Sequence, residues 1–221
     1  MSTLTSGPVA GLLDRLFAEA DRNDPAAFAR FHAEMEKLSG PAGDRQRATL
    51  MRDIAMPVSP EVGRLLYLLS RSRRARTIVE FGTSFGISAI HLAAALRDNG
   101  GGRLITTEFD EIKAGRAREN FRSAGLDDLI ELRIGDAFDT LKAELGGPID
   151  LVLLDGWKPL YLAMLQFLEP RLAPCAVVAA DDLAIAPDAL APYLDYVRNA
   201  GNGYVSVEVP LGDRVEISLR G

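Results

Sequence analysis

The stretch Thr77-Ile78-Val79-Glu80-Phe81-Gly82-Thr83-Ser84-Phe85-Gly86-Ile87-Ser88 leaves this chain few folds to choose from. Its β-branched apolar start, Ile78 and Val79, predicts a buried strand that stops at Gly82, and the amphipathic run from Ile87 to Leu96 predicts a helix. Strand, glycine turn and helix in that order are how an α/β sheet presents backbone N–H groups and a helix N-terminus to a small ligand. Glycine at 82 and 86 is expected because a Cβ at either position would block close approach of a ligand to the backbone.

Beyond this unit the chain keeps alternating. Strands are expected at 77–81, 103–108, 129–134, 149–154 and 174–180, with helices at 86–98, 111–124, 137–145 and 160–169. Such alternation means a parallel sheet with helices on both faces. After a helix at about 187–200, Gly201-Asn202-Gly203 turns the chain into 204–209 and Leu211-Gly212-Asp213 turns it into 214–219. Two strands joined by a short turn run antiparallel. The expected fold is therefore α/β, a Rossmann-like doubly wound seven-stranded mixed sheet whose last strand is antiparallel.

Upstream, residues 1–54 read as an N-terminal helical extension, a cap or dimer element, and 55–221 as the main domain. Leu12, Leu13, Leu16 and Phe17 stripe a helix over 9–20. Asp24-Pro25 reads as an N-cap and first-turn proline opening a second helix to about Leu38, with Phe28, Phe31, Met35 and Leu38 on one face. Ser39-Gly40-Pro41-Ala42-Gly43 breaks the chain before a short helix around 45–54. His32 is expected to be exposed. Ser59-Pro60-Glu61 opens a further helix with Ser59 as cap and Leu65, Leu66, Leu68 and Leu69 as its apolar side.

At 221 residues with a formal charge of −6, the chain has room for a self-sufficient core and no excess of positive charge for nucleic acid. The cluster Arg71, Arg73, Arg74 and Arg76 reads as a solvated helix end. Cys175 is the sole cysteine, so no intrachain disulfide can form. No run is long and apolar enough to span a membrane, and no charged-then-apolar leader precedes Asp14; the expectation is a cytoplasmic protein.

Four positions carry chemistry at strand ends, the side on which an α/β sheet binds ligands. Glu108 ends the second strand where a carboxylate can accept hydrogen bonds from both hydroxyls of a ribose. Asp136-Ala137-Phe138 follows the third strand, where an adenine could lie; Asp136 reads equally well as the cap of helix 137–145. Asp155-Gly156-Trp157-Lys158 ends the fourth strand, and Asp181-Asp182 the fifth. If these strands are neighbours, three carboxylates meet in one small volume and repel unless protonated or bound to a cation. Hard oxygen donors suit Mg²⁺ or a similar divalent ion.

The spacing Gly82-x-x-x-Gly86, with Glu80 ahead of it, resembles the first motif of class I S-adenosylmethionine-dependent methyltransferases. Ser84 stands where a dinucleotide fingerprint would need its middle glycine, which disfavours a nicotinamide oxidoreductase. Asp155-Gly156-Trp157-Lys158 and Ala180-Asp181-Asp182 resemble segments of the catechol and caffeoyl-CoA O-methyltransferase family. The likeness covers roughly 55–220 and includes Met56-Pro57-Val58-Ser59-Pro60-Glu61 and Pro210-Leu211-Gly212-Asp213. It implies S-adenosylmethionine as cofactor and a small phenolic or catechol-like substrate methylated on a hydroxyl. Metal ligands would be Asp155, Asp181 and Asp182, with Lys158 the base that takes the hydroxyl proton. Gly82, Ser84 and Ser88 would line the methionine end of the cofactor with Glu80 and Gly86 of the same motif. Glu108 would bind the ribose beside Phe109, and Asp136, Ala137 and Phe138 would sit by the adenine. Val58 would lie beside the cofactor, and Asp155 and Trp157 would wall it. The likeness also implies a homodimer, and no nucleic-acid or membrane partner is expected. Asp182 departs from the family's usual asparagine, and Cys175 stands where a glycine is common, read here as a buried small residue. Alternatives are a metal-independent small-molecule N- or O-methyltransferase whose aspartates grip an amine, and a cofactor-binding module that has lost catalysis.

Overall fold

The structure is a computed structural model and describes residues 2–38 and 43–221. Five parallel strands come first: β1 (Thr77–Phe81), β2 (Arg103–Glu108), β3 (Ile130–Ile134), β4 (Ile149–Leu154) and β5 (Leu172–Ala180). β6 (Tyr204–Val209) and β7 (Val215–Arg220) complete a seven-stranded sheet in the order β3-β2-β1-β4-β5-β7-β6, in which β7 runs antiparallel to both β5 and β6. The mixed doubly wound sheet expected from the alternation is present.

Each central strand is buried on both faces, which is why its sequence is a continuous apolar run rather than an alternating one. Ile78, Leu104, Leu151, Leu153, Val177 and Ala179 face one helical layer, built from α1 (Gly7–Glu36), α3 (Pro60–Arg73), α4 (Ile87–Asp98) and α5 (Glu111–Ala124). Val79, Ile105, Val152, Leu154, Val178 and Ala180 face the other, built from α6 (Ala137–Thr140), α7 (Tyr161–Leu168) and α8 (Pro187–Arg198). α2 (Asp44–Leu50) is a short helix ahead of both layers.

Several expectations are corrected. The two N-terminal helices are one, α1, running through Pro25. Asp24 caps nothing; its buried carboxylate accepts from the backbone N–H groups of Ala55 and Met56, both at 2.9 Å. The first half of α1 belongs to the main core through Val9, Leu12, Leu13 and Leu16, whereas beyond Ala27 the helix buries no residue. His32 is exposed, as expected. Of the expected break at 39–43, residues 39–42 lie outside the described residues. Ser59 caps α3 by accepting from Val62 N–H, but Leu68 is 61% exposed and the inner face is Val62, Gly63, Leu66 and Ser70.

α6 ends at Thr140 rather than 145 because side chains take the carbonyls that would continue it. Arg133 donates to the carbonyls of Thr140 and Glu144, and Arg171 to that of Leu141. Cys175 is exposed, not buried; its φ of +58° is left-handed, the conformation that favours a glycine there. The arginine cluster before β1 is not merely solvated. Arg73 pairs with Asp150 at 3.1 Å and Arg71 donates to Asn99 at 2.9 Å, pinning the end of α3 to the sheet.

Candidate active site

The carboxyl ends of β1, β2, β4 and β5 lie side by side, and the ladder bonds run one step past the strands. Asp155 N–H donates to Phe81 O at 2.9 Å and Asp181 N–H to Leu154 O at 3.0 Å. This places Asp155 and Asp181-Asp182 on adjacent strand ends, the neighbourhood on which the sequence reading depended. One oxygen from each of Asp155, Asp181 and Asp182 can be chosen so that all three lie within 4.8 Å of one another. Asp181 is 2% exposed and its Oδ1 is buried without a hydrogen-bond partner. Burial, then the charge of Asp182, pushes the Asp181 carboxyl up to about 7. Burial raises Asp155 well above the carboxylate range too. A buried acceptor with no donor and two neighbours of like charge is a site short of positive charge, and hard oxygens close together fit a divalent cation.

Lys158 stands inside this cluster. Its Nζ lies 2.7 Å from Asp182, 3.5 Å from Asp155 and 2.9 Å from the Tyr161 hydroxyl. Burial opposes the ammonium charge, yet Asp155 and Asp182 outweigh it and hold the lysine above its ordinary value. Tyr161 in turn donates to the Asp181 carbonyl at 3.2 Å and is fully buried edge-on against Tyr193. Sequence reading missed Tyr161, although the spacing Lys158-x-x-Tyr161 was its available signal. Asp182 has a φ of +65°, in the left-handed region where asparagine and aspartate are the best tolerated non-glycine residues. Exchange of one for the other at this position keeps the backbone.

The glycine turn is built differently from the expectation. A Cβ on Gly82 would lie 2.5 Å from the Asp155 carbonyl oxygen, and one on Gly86 would meet the Phe121 ring. At both positions the missing Cβ clears the chain itself. Ser84, at φ +47°, donates its N–H to Glu108 Oε2 at 2.8 Å and its hydroxyl to Ala55 O at 2.6 Å. Glu108 Oε1 accepts from the N–H groups of Phe109 and Asp110, both at 2.9 Å. Burial raises the Glu108 carboxyl despite these bonds. With three of its roughly four acceptor sites engaged, Glu108 can take a ribose hydroxyl, but not two without releasing an N–H.

Glu80 and Ser88 face each other under the turn. Ser88 Oγ donates to Glu80 Oε1 at 2.6 Å and Thr106 Oγ1 to Glu80 Oε2 at 2.5 Å, both residues being buried. Burial pushes Glu80 up to about 7. Val58 is 3% exposed and packs in the core beneath the site. Asp136 Oδ1 accepts from Phe138 N–H at 2.8 Å, the capping arrangement that the sequence left open. Ala137 is buried behind it and Phe138 stacks edge-on with Phe167. Phe109 and Trp157, at the ends of β2 and β4, are overlaid by α2: the Arg45 guanidinium lies 5.7 Å from the Phe109 ring and that of Arg47 5.1 Å from the Trp157 ring.

Residues 79–183 match the family described as a methyltransferase domain. The catechol O-methyltransferase of Niastella koreensis is 38% identical over 132 residues, which are 58% of this chain and 59% of that protein. The chain thus spans under three fifths of the length of the first curated relatives it matches. Among solved structures, the O-methyltransferase TomG of Streptomyces achromogenes, involved in tomaymycin synthesis and solved with SAM, superposes with a TM-score of 0.66 at 27% identity, over 91% of this chain and 98% of that one. The O-methyltransferase of Bacillus cereus in complex with SAH shares the fold with a TM-score of 0.69 at 24% identity, over 87% and 97%. Motifs at four strand ends, the acidic trio with its lysine, and these likenesses converge: the chain matches a methyltransferase domain over residues 79–183 and is similar to the S-adenosylmethionine-dependent O-methyltransferases of the catechol and caffeoyl-CoA O-methyltransferase family.

Proposed function

We propose that this chain transfers a methyl group from S-adenosylmethionine to one hydroxyl of a small phenol bearing vicinal oxygens, with a divalent cation, Mg²⁺, held by Asp155, Asp181 and Asp182. The observation that carries the reading is the convergence of those three carboxylates within 4.8 Å around Lys158, with one buried oxygen unpartnered. Catechol methylation is what the Niastella relative is named for, and it comes to this chain by that likeness.

The chain's own residues do the positioning. Glu108 offers its remaining acceptor site to a ribose hydroxyl, the turn at Gly82–Gly86 and Ser88 borders the methionine end, and Val58, Phe109, Asp136, Ala137, Phe138 and Trp157 wall the rest. S-adenosylmethionine supplies an already activated methyl group, so alignment of the acceptor oxygen is the larger share of the work. A bound divalent ion supplies positive charge that favours the ionised form of a neighbouring hydroxyl. Lys158 Nζ takes the hydroxyl proton in its neutral form. Asp155 and Asp182 hold it charged in the ligand-free arrangement, so it can act as a base only when their charge is engaged elsewhere. Residues 1–54 are an N-terminal extension whose first half packs into the core of the main domain, 55–221, and whose second half serves as a cap or dimer element; the protein works in the cytoplasm as a homodimer.

A second reading has its own observation. The trio already grips an ammonium, that of Lys158 at 2.7 Å from Asp182, so it could grip an amine substrate without metal.

Calorimetry of S-adenosylmethionine binding followed by methyl transfer to a catechol panel, with Mg²⁺ or with EDTA, separates these. Under the first reading turnover disappears with EDTA, and Lys158→Ala lowers kcat by roughly 10²–10⁴-fold. Turnover indifferent to EDTA selects the second reading. Binding of the cofactor with no turnover leaves a binding module, and no binding removes the assignment.

A further inference from the structure

α5 carries a lysine that none of the chemistry above uses. Lys113 is 4% exposed, and its Nζ donates to Ser84 Oγ at 3.1 Å. A buried ammonium is costly unless paired, and the groups around it are those that shape the cofactor turn. Glu108, Asp110 and Asp24 all act on its charge, while burial pulls the lysine below its ordinary value. Asp110 is partnered by Arg52 at 3.2 Å, and Asp24 by the N–H groups of Ala55 and Met56. Glu108 has no arginine partner among the described residues, so Lys113 is the cation that its surroundings supply.

The same helix grips the turn at three further points. Asn120 donates to Phe85 O at 2.9 Å, the Arg116 guanidinium lies 4.9 Å from the Phe85 ring, and Phe121 fills the space beside Gly86. Ser84 is the residue on which everything meets. It sits in a left-handed backbone conformation, costly for a serine, and is tied to Ala55, Glu108 and Lys113 at once.

We propose that Lys113 is a positioning residue for the cofactor: its buried ammonium, bonded to Ser84, fixes the residue whose N–H holds Glu108, so that the turn and the ribose acceptor are shaped before S-adenosylmethionine arrives. This rests on the methyltransferase reading above. Lys113 bonds Ser84 rather than the acidic trio, and it acts through Ser84 and Glu108.

The test is Lys113→Met beside Lys113→Arg, with S-adenosylmethionine and S-adenosylhomocysteine affinity measured by calorimetry across pH. Loss of one charged hydrogen bond and of a nearby cation predicts a rise in Kd and KM for the cofactor of roughly tenfold or more. kcat at saturating cofactor should fall by much less. The second readout is the pH at which affinity begins to fall on acidification. Glu108 binds ribose as the carboxylate, so affinity is full above its pKa and lost as pH falls through it. Without Lys113 the carboxyl keeps Glu80, on β1, as a like charge, while Asp110 and Asp24 stand around the vacated lysine position, Asp110 paired with Arg52. The fall must then begin at higher pH in Lys113→Met, and Lys113→Arg must restore it toward the wild-type position. Where Lys113→Met fails to fold, Lys113→Gln and its combination with Ser84→Ala give the coupling: the two changes must be non-additive in cofactor Kd. Unchanged affinity, or weakened affinity with an unmoved acid limb, overturns the proposal. A wild-type protein that binds no S-adenosylmethionine overturns the methyltransferase reading instead, a result distinct from either.

Discussion

Two buried groups pull the pH dependence of this protein in opposite directions. Glu80 has its carboxyl pushed from 4.5 up to about 7 by burial. The folded state therefore favours its protonated form, and the stability this contributes is present below 4.5 and lost as pH rises through 7. His91 is 3% exposed, packs against Gly63 and hydrogen-bonds Ile87 O through Nδ1 at 2.9 Å. Burial lowers it from 6.5 to about 4, so its contribution is present above 6.5 and lost as pH falls through 4. Each shift corresponds to about 3 kcal/mol at its limit, and over the shared window they offset. Asp181, raised to about 7, adds to the Glu80 side, so wild-type Tm without bound cation should fall by several degrees between pH 5 and 7. Glu80→Gln should make that fall shallower and His91→Gln should make it steeper, both read by scanning calorimetry. Parallel slopes in all three proteins would remove this account. None of it was legible in Thr77-Ile78-Val79-Glu80-Phe81, where the acidic residue reads only as part of a motif. What a motif hides is the direction its side chain takes, and Glu80 is spent on Ser88 and Thr106.

Elements were legible where local chemistry and tertiary packing agree. β1, β2, β4 and β6 fall where the apolar runs placed them, and α5 runs from 111 to 124, between Asp110, whose side chain caps it, and Gly125, its left-handed stop. They were misread where a side chain works at long range. Asp24-Pro25 carries the marks of a helix start, but the carboxylate reaches the Ala55–Met56 backbone and the helix continues. That reach joins α1 to the cofactor turn, because Ala55 O receives the Ser84 hydroxyl. Asp24→Ala leaves two N–H groups without their acceptor, which should cost about 2–4 kcal/mol in urea unfolding. Cofactor affinity should weaken along with it. Full stability in the variant would mean that water replaces the carboxylate and that the tie is dispensable.

At the scale of the whole molecule, the sequence predicted the count and direction of strands but could not order them. Position in the sheet depends on pairings between residues far apart, such as Ile78 with Leu151 and Val178 with Ser218, which no local pattern encodes. The acidic trio was legible only through the assumption that β4 and β5 are neighbours, which they are. The outer strands leave Val205 at 76%, Val207 at 60% and Leu219 at 43% exposure, and on the second half of α1 Phe28, Phe31 and Met35 are only half-buried. The proposed homodimer should sediment at twice the 23.9 kDa of the chain at micromolar concentration, and a monomeric mass removes it. The order β5-β7-β6 also sets a schedule for folding. β6 is synthesised before β7 yet cannot join the sheet until β7 has slotted between it and β5. β7 and the turn before it also brace the acidic end of β5, where Leu183 and Ala184 donate to the carbonyls of Arg214 and Asp213. A nascent chain can thus close the glycine turn early while its carboxylates stay unplaced.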